Sequence, residues 1–327
     1  MEPVNASASP NARRLLQYLY SLKGKNILSG QHNWINDPFG AMYVVQKEQG
    51  DFPAIQGLEI GCFEPSYTYA RYTGYLQAVV NAAISAWNHN RIPVITFHQS
   101  YPCSTVAKTW AGVQRATTDF EFEQVVTPGT DAYVAWKAEI DLILGYLVQL
   151  RDLRIPFVFR PYHEMNGQWF WWGAKDNFNK LWDNIYSVFV EEYSMHNVLW
   201  MWNPNVPTGY QDPKTGITVF EYNDPRTFPG VDKVDILGAD IYLSAGAVSY
   251  KQHYHDDLVT LAGGKIVAIG ENGRLPSSTV LNTQKEWSWF MTWPDYWTQE
   301  GNTPVTRTET FLDPRVLTMK EVFIPEV

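Results

Sequence analysis

Short apolar runs alternate along the chain with longer segments that have helical periodicity. Eight runs are near-continuous in apolar residues, at positions 26–30, 53–59, 93–98, 156–161, 198–202, 234–240, 266–271 and 288–293. Runs of this kind are typical of parallel strands that are buried on both faces. The pattern therefore predicts eight buried strands separated by helices.

Apolar residues recur at helical spacing between several of these runs, over residues 74–90, 136–150 and 178–189. Asp131 is the predicted N-cap of the second of these helices, and residues 313–322 are predicted to form the last helix. Eight strand–helix units in 327 residues predict an α/β fold of the (β/α)8 TIM-barrel type. No linker or break in composition is visible, so we expect a single domain over residues 1–327.

The charge balance and the hydropathy exclude two classes of function. The chain has 34 acidic and 25 basic residues, a formal net charge of −9, and no cluster of Lys and Arg. Binding to nucleic acid is not expected, because phosphate contacts need clustered cations. No apolar stretch approaches the roughly 20 residues that a membrane-spanning helix requires, so no membrane partner is expected either.

The N-terminal residues and the two cysteines leave several possibilities open. The N-terminus has no apolar signal core, which is compatible with a cytosolic protein or with a secreted protein whose signal peptide has been removed. Cys62 and Cys103 lack the spacing of a zinc site. They could form a disulfide only in an exported protein that brings them together.

Aromatic residues are unusually frequent, with 14 Trp, 19 Tyr and 16 Phe that together make up 15% of the chain. Sugar rings stack their C–H faces on indole rings, so this content points to a carbohydrate ligand. Packing of a large core explains the same content, because aromatic side chains bury large areas. Composition alone leaves both interpretations open.

In a barrel of this type the chemistry lies at the C-terminal ends of the strands, and two glutamates occupy that position here. Glu164 follows the fourth run and Glu271 ends the seventh, so the two carboxylates are expected to face each other across the barrel mouth. A single strand-end glutamate is often only an ion-pair partner. A pair, with Trp169 and three further aromatic residues just after Glu164, favours the two-carboxylate chemistry of glycoside hydrolysis.

Residues 160–173, with the sequence RPYHEMNGQWFWWG, carry a specific resemblance. The segment resembles the acid/base signature of glycoside hydrolase family 26, whose best-known members are endo-β-1,4-mannanases. Weaker matches lie at residues 28–32, 238–242, 270–273 and 311–316, whereas residues 100–130 and 204–233 match no pattern. The resemblance implies a (β/α)8 barrel, a retaining mechanism and no cofactor, with Glu164 as the acid/base and Glu271 as the nucleophile.

The resemblance also implies a substrate, an oligomeric state and a location of the enzyme. We expect a secreted, monomeric, endo-acting enzyme that cleaves β-mannan or a related polysaccharide. A β-1,3-xylanase or a mixed-linkage β-glucanase of the same family remains an alternative, because such enzymes would share the bond-cleaving groups and differ in their other sugar contacts.

Further residues at the strand ends have expected roles around this pair. Arg160 and Tyr242 are placed to stabilise the charge of Glu271, and Asp240 to support its neighbours. His98 and His163 are expected to bind sugar hydroxyls, with a buried histidine satisfied by a backbone carbonyl as the alternative. Trp169 and Trp293 are expected to be sugar platforms, whereas outer subsites and simple packing are both open for Trp110, Trp171, Trp172 and Trp297.

Two other classes of function fit the sequence less well. A metal-dependent hydrolase would need a second histidine in the GQHN sequence at residues 30–33, and the seven histidines do not gather at ligand spacing, so no metal is expected. A non-catalytic sugar-binding barrel would keep the tryptophans and lose one carboxylate, but both carboxylates are present.

Overall fold

In a computed structural model of the protein, parallel strands form a ring in which their spatial order follows their order along the chain. The structure describes residues 1–34, 36–61, 68–102, 108–207, 218–242 and 250–324. Strands β2 to β8 make one seven-stranded parallel sheet in which each strand pairs with the next. Strands β1 and β9 pair with each other in parallel. In chain order the strands are β1 (Ile27–Leu28), β2 (Gly30–His32), β3 (Ile55–Glu59), β4 (Ile92–Phe97), β5 (Phe157–Pro161), β6 (Val198–Trp202), β7 (Ile236–Ile241), β8 (Ile266–Asn272) and β9 (Val316–Leu317).

Residues 288–293, the predicted eighth strand, close the ring without forming a regular strand. On one side Leu28 N donates to Ser288 O at 2.9 Å and Thr292 N donates to Gly30 O at 3.1 Å. On the other side Asn272 N donates to Met291 O at 3.0 Å. The segment alternates between its two neighbours and makes only isolated bridges to each. The predicted TIM barrel is thus confirmed, with seven regular strands and one irregular segment between β8 and β2.

The helices cover the outside of the ring, and three of the predicted ones are found. They are α3, α6 and α7, and α7 continues as one π-helical turn, Val188–Glu192. In chain order the helices are α1 (Pro10–Leu22), α2 (Gly40–Gln49), α3 (Tyr69–Asn88), α4 (Trp110–Val113), α5 (Asp119–Val126), α6 (Asp131–Asp152), α7 (Phe178–Ser187), α8 (Gln252–Ala262), α9 (Ser278–Thr283) and α10 (Pro304–Phe311). Within these described ranges no helix is both long and apolar enough to cross a membrane.

Two local predictions are wrong. The N-cap of α6 is Thr130, whose side chain accepts from Tyr133 N, and Asp131 occupies the first turn, where its charge favours the helix dipole instead. The last helix lies at α10, before residues 313–322, because Thr303 caps it and Pro304 occupies its first position. Residues 313–322 contain β9 and a 3-10 turn at Met319–Glu321.

Alternation along the strands separates the barrel interior from the helical layer. Interior residues such as Val94, Val158 and Leu199 pack in one cluster with Leu15 and Leu19 of α1, which therefore covers the N-terminal end of the barrel. The outward residues join a larger cluster with the helices. Eight tryptophans are fully buried: Trp136, Trp171, Trp172, Trp182, Trp200, Trp202, Trp287 and Trp289. Core packing therefore accounts for much of the aromatic content, and the C-terminal end of the barrel is the end left for polar groups.

Candidate active site

The eight residues predicted to form the site all lie at the C-terminal ends of the strands or in the segments that follow them. Arg160 lies in β5 and Glu271 in β8, His98 and Tyr242 follow β4 and β7, and Trp293 ends the closing segment. Residues 163, 164 and 169 belong to the loop after β5. The structure brings these side chains into one connected group through the contacts described below.

Glu271 is almost fully buried and accepts two strong hydrogen bonds. Arg160 Nη1 donates to its Oε1 at 2.8 Å, and the Tyr242 hydroxyl donates to its Oε2 at 2.6 Å. Burial alone would raise the pKa of Glu271, but the Arg160 charge, helped by the Tyr242 bond, outweighs burial and holds that pKa below its usual value. Burial raises the pKa of Tyr242 well above 10, so its hydroxyl keeps the proton that it donates. Glu271 is therefore an anion over the neutral pH range.

Glu164 has the opposite electrostatic setting, although it is equally enclosed. Trp169 Nε1 donates to its Oε2 at 2.5 Å, and Asn205 Nδ2 donates to its Oε1 at 2.7 Å. Burial, and next the negative charge of Glu271, raise the pKa of Glu164 to about 7. One carboxyl group of the pair is thus held ionised, and the other can carry a proton near neutral pH.

Two residues just after β5 have unusual backbone conformations. Tyr162 and Glu164 both adopt left-handed backbone conformations, with φ of 50° and 55°. Such conformations cost about 1–3 kcal/mol for a residue other than glycine and persist only where neighbouring contacts hold them. Here Glu164 N donates to Asn203 O at 2.7 Å, and Trp136 Nε1 donates to the Tyr162 hydroxyl at 2.8 Å.

Arg160 lies between two buried carboxylates and joins three strands. Its Nη2 donates to Asp240 Oδ2 at 2.5 Å, in addition to the bond from Nη1 to Glu271. Asn203 Nδ2 donates to the other Asp240 oxygen at 2.8 Å. Gly270 makes room for this group, because a Cβ there would lie 1.7 Å from Asn203 Oδ1.

Three histidines fill the space beside the carboxylates. The rings of His98 and His163 meet edge to face at 4.1 Å, and His163 Nε2 lies 3.6 Å from Glu271 Oε1. Burial and the Arg160 charge lower the pKa of His163 well below its usual value, and burial lowers that of His32 to about 4, so both rings are neutral at pH 7. Within the described ranges, the buried Nδ1 of His163 has no hydrogen-bond partner.

The predicted aromatic platforms divide into exposed and buried rings. Trp169 and Trp293 are half-buried, and Trp293 stacks on His32 with ring centroids 4.5 Å apart. Trp110 is 41% exposed and lies 5.4 Å from the His98 ring. Trp171 and Trp172 are completely buried and Trp297 nearly so, and each donates its indole N–H inside the protein, to Gln99 O, His163 O and Glu48 Oε2. Packing is therefore the correct interpretation for these last three.

Four residues of the site were missed from the sequence. Glu59 ends β3 and accepts from His98 Nδ1 at 2.6 Å, which orients that ring. His32 ends β2 and supports Trp293. Asn203 and Asn205 follow β6. All four are polar residues at or just after the end of a predicted strand, so extending the strand-end criterion to every run would have found them.

Among the described residues, two groups of side chains have the donor types of a metal site, with potential ligand atoms within 4.8 Å of one another. They are His98 with His163 and Glu271, and His163 with Glu164 and Asp240. In each group one carboxylate is paired with Arg160. The positive charge of Arg160 neutralises that ligand and would repel a metal cation. The donor set therefore fits proton chemistry better than metal binding.

The structure describes neither cysteine and only parts of the two loops that matched no sequence pattern. Cys62 and Cys103 lie outside the described residues, as do residues 103–107 and 208–217 of the loops that matched no sequence pattern. The described part of residues 204–233 includes a 3-10 turn, Val231–Lys233, and an isolated bridge between Asn205 and Asp240.

Comparisons with known proteins agree on one family. The model of glycosyl hydrolase family 26 matches residues 4–321. A curated mannan endo-1,4-beta-mannosidase of Thermothelomyces thermophilus is 31% identical over 97% of this chain and 62% of its own length. The chain spans less than two thirds of the length of the first curated relatives that it matches.

Two solved structures resemble the whole barrel. The GH26A protein of a Muricauda species is 32% identical, with a TM-score of 0.87 over 98% of this chain and 99% of that one. A beta-mannanase from a symbiotic protist of the termite Reticulitermes speratus, complexed with gluco-manno-oligosaccharide, is 26% identical, with a TM-score of 0.83 over 99% and 98% of the two chains.

Replacing Arg160 by Met should destabilise the protein by about 3–5 kcal/mol at pH 7, because two buried carboxylates lose their counter-charge. Without Arg160 the folded-state pKa values of Asp240 and Glu271 lie above the unfolded values of about 4. The loss should therefore be small at pH 4 and grow as the pH rises through the folded-state values. Urea denaturation at several pH values measures it.

The matched control for this prediction is Arg226→Met, which removes the partly exposed ion pair with Asp224. We expect it to cost less than about 1 kcal/mol with little dependence on pH in this range. Equal losses for the two variants would contradict the central place given to Arg160.

Proposed function

Because the chain belongs to glycosyl hydrolase family 26, we propose that it is a secreted, monomeric endo-β-1,4-mannanase that cleaves its polymer by a retaining double displacement. The single observation that carries the reaction is the unequal pair of glutamates, with Glu271 held as an anion and Glu164 able to hold a proton near pH 7. The choice of mannan rests on the relatives, several of which bear the name mannan endo-1,4-beta-mannosidase.

In the first step a Glu271 oxygen attacks the anomeric carbon of the sugar. A carbon–oxygen ester bond forms, the glycosidic bond breaks, and the Glu164 proton moves to the leaving oxygen. Arg160 and Tyr242 hold Glu271 in the ionised state that attack requires. A retaining reaction requires the two carboxyl groups about 5–5.5 Å apart, and both groups lie beside the His163 ring, which is compatible with that spacing.

In the second step water attacks the same carbon, Glu164 takes the proton from the water, and the ester bond breaks to regenerate the Glu271 carboxylate. Esterification has removed the negative charge that raised the pKa of Glu164. The pKa of Glu164 therefore falls in the intermediate, and the same side chain that was an acid becomes a base.

The remaining predicted residues have roles in this proposal as sugar contacts. The unpartnered Nδ1 of His163 supports a hydrogen bond to a sugar hydroxyl, since buried polar atoms normally have partners. His98, oriented by Glu59, lies beside it. Trp293 and Trp169 are proposed as platforms, and Trp169 also bonds the acid/base. The proposed reaction uses no group from a second copy of the chain, which is compatible with a monomer, and a polymeric substrate supports secretion.

A panel of mannan, β-1,3-xylan and mixed-linkage β-glucan tests the substrate. We expect mannan to be hydrolysed at least about tenfold faster than the other two, and early products to be oligosaccharides of several sizes. A preference for either other polymer would replace mannan in the proposal, and binding to mannan without any product would identify a sugar-binding barrel instead.

Truncating the two glutamates should have different consequences. Glu164→Ala should lose about 10²–10⁴-fold in kcat/KM on mannan but far less on an aryl β-mannoside with a good leaving group, which needs no proton. Glu271→Ala should abolish turnover of both substrates, because no ester can form. Proton NMR of the first wild-type product should show the retained β configuration.

The control for these variants is Glu191→Ala. The Glu191 carboxylate accepts a hydrogen bond from Ser187 at the surface, so its removal should leave all rates unchanged. Equal loss on both substrates in Glu164→Ala would count against the acid role. An α-configured first product would rule out the retaining route.

The pH profile of kcat/KM should be bell-shaped. Activity should fall above pH 7, as Glu164 loses its proton, and on the acid side below the usual range of a glutamate, as Glu271 gains one. Initial rates on a soluble mannan in overlapping buffers measure both limbs. A basic limb near pH 5 would contradict the assignment of Glu164 as the protonated group.

A further inference from the structure

Asn166, two residues after Glu164, is a completely buried side chain whose hydrogen bonds all go to one neighbouring segment of chain. Its Nδ2 donates to both Asn205 O and Phe220 O at 2.8 Å, and its Oδ1 accepts from Asn205 N at 2.8 Å. Its backbone carbonyl accepts from Phe220 N at 2.9 Å. Both donors and the acceptor of the amide are therefore used, and no other side chain of similar size offers this set.

These bonds attach the loop after β5 to the segment after β6. Asn205 is fixed at its backbone N–H by Asn166, and Val206 N donates to Asp240 O at 3.1 Å, which fixes the next residue to β7. With its backbone held on both sides, Asn205 directs its side-chain amide to Glu164 Oε1 at 2.7 Å. Asn166 thus sets the position of the group that contacts the acid/base.

Asn205 and Trp169 bond different oxygens of Glu164. The indole of Trp169 donates to Oε2, and the Asn205 amide donates to Oε1. Oε1 can accept this bond as a carboxylate oxygen and also as the carbonyl oxygen of the carboxylic acid, while the transferable proton lies on Oε2. The bond to Asn205 therefore persists in both protonation states and is stronger in the ionised one.

We propose that Asn205 is a positioning residue for Glu164 in both protonation states, and that Asn166 acts through it by holding its backbone in place. The inference rests on the proposed role of Glu164 as the acid/base. In the first step the amide orients the acid, and in the second it stabilises the carboxylate that activates water. Neither asparagine contacts the sugar or transfers a proton in this assignment.

Other charges also face Glu164, and the asparagine variants leave them unchanged. They come from the surrounding strands and comprise Glu271 on β8, Asp240 on β7, Arg160 on β5, and the neighbouring ring of His163. A shift in the titration of Glu164 caused by removing a neutral amide therefore reports the lost hydrogen bond rather than a changed net charge.

The test compares wild-type protein with Asn205→Ala, Asn166→Ala, Asn166→Ser and the double alanine variant. The titration of Glu164 is followed by NMR of ¹³C-carboxyl-labelled glutamate, with its signal assigned by its loss in Glu164→Gln. The basic limb of kcat/KM on mannan is measured in parallel. The matched control is Asn197→Ala, a buried asparagine just before β6 whose Nδ2 donates to Ile155 O at 2.7 Å.

Asn205→Ala should raise the pKa of Glu164 and move the basic limb upwards, both by about one unit, because the lost hydrogen bond is about tenfold stronger to the ionised carboxylate than to the neutral acid. Asn166→Ala or its milder serine version should shift both quantities in the same direction. The double variant should shift them no further than Asn205→Ala. Asn197→Ala should lower the melting temperature without moving either quantity.

An unchanged Glu164 titration in Asn205→Ala would overturn the proposal, and so would additive shifts in the double variant, which would show that Asn166 acts independently of Asn205. The NMR titration requires no substrate. A shifted titration in a protein that cleaves no β-glycan would therefore reject the proposed function while the positioning assignment stands. Normal mannanase activity together with an unshifted Glu164 titration in Asn205→Ala would reject only the positioning assignment.

Discussion

The guanidinium group of Arg160 compensates the buried negative charges at the C-terminal end of this barrel, and the arrangement of the site depends on it. It is fully buried, and it bonds Asp240 on one side and Glu271 on the other. A buried cation is tolerated only when opposite charges and hydrogen bonds replace water. The barrel interior supplies that replacement, because β7 and β8 present the carboxylates and Gly270 leaves space for the Asn203 amide behind them. The charged centre thus depends on the same strand order that builds the fold.

The two glutamates show how environment separates residues of one type. Both are nearly excluded from water, which by itself favours the protonated form of each. Arg160 and Tyr242 reverse this preference at Glu271, whereas within the described residues Glu164 accepts from two neutral donors and faces the negative charge of its partner. The two protonation states therefore follow from position relative to one cation. In the proposed reaction, esterification of Glu271 would remove its negative charge and so lower the pKa of Glu164 without movement of the backbone.

Sequence reasoning succeeded where burial enforces a pattern and failed where tertiary contacts decide. Strands buried on both faces must be apolar, so seven of the eight were found, and strand-end position was enough to select Glu164 and Glu271. The N-cap Thr130 was missed because both it and the adjacent Asp131 are good caps, and only the hydrogen bond to Tyr133 N distinguishes them. The position of Asn205 just after a strand was visible in the sequence, but its bond to Glu164, 41 positions away, is a tertiary contact that no local pattern encodes.

The buried charged centre of the site and its exposed aromatic rings are built from different parts of the chain. Arg160 and Glu271 lie within strands and have buried partners, so they cannot change without loss of the barrel's internal charge balance. Trp110, Trp169 and Trp293 lie in the segments after strands and keep exposed or half-exposed rings. In the proposed function, substitution of Trp110 or Trp293 would alter which sugar rings fit, whereas substitution of Trp169 would also change the proton equilibrium of Glu164, which its indole bonds. The polymer preference under that proposal is therefore expected to depend on the segments that follow the strands.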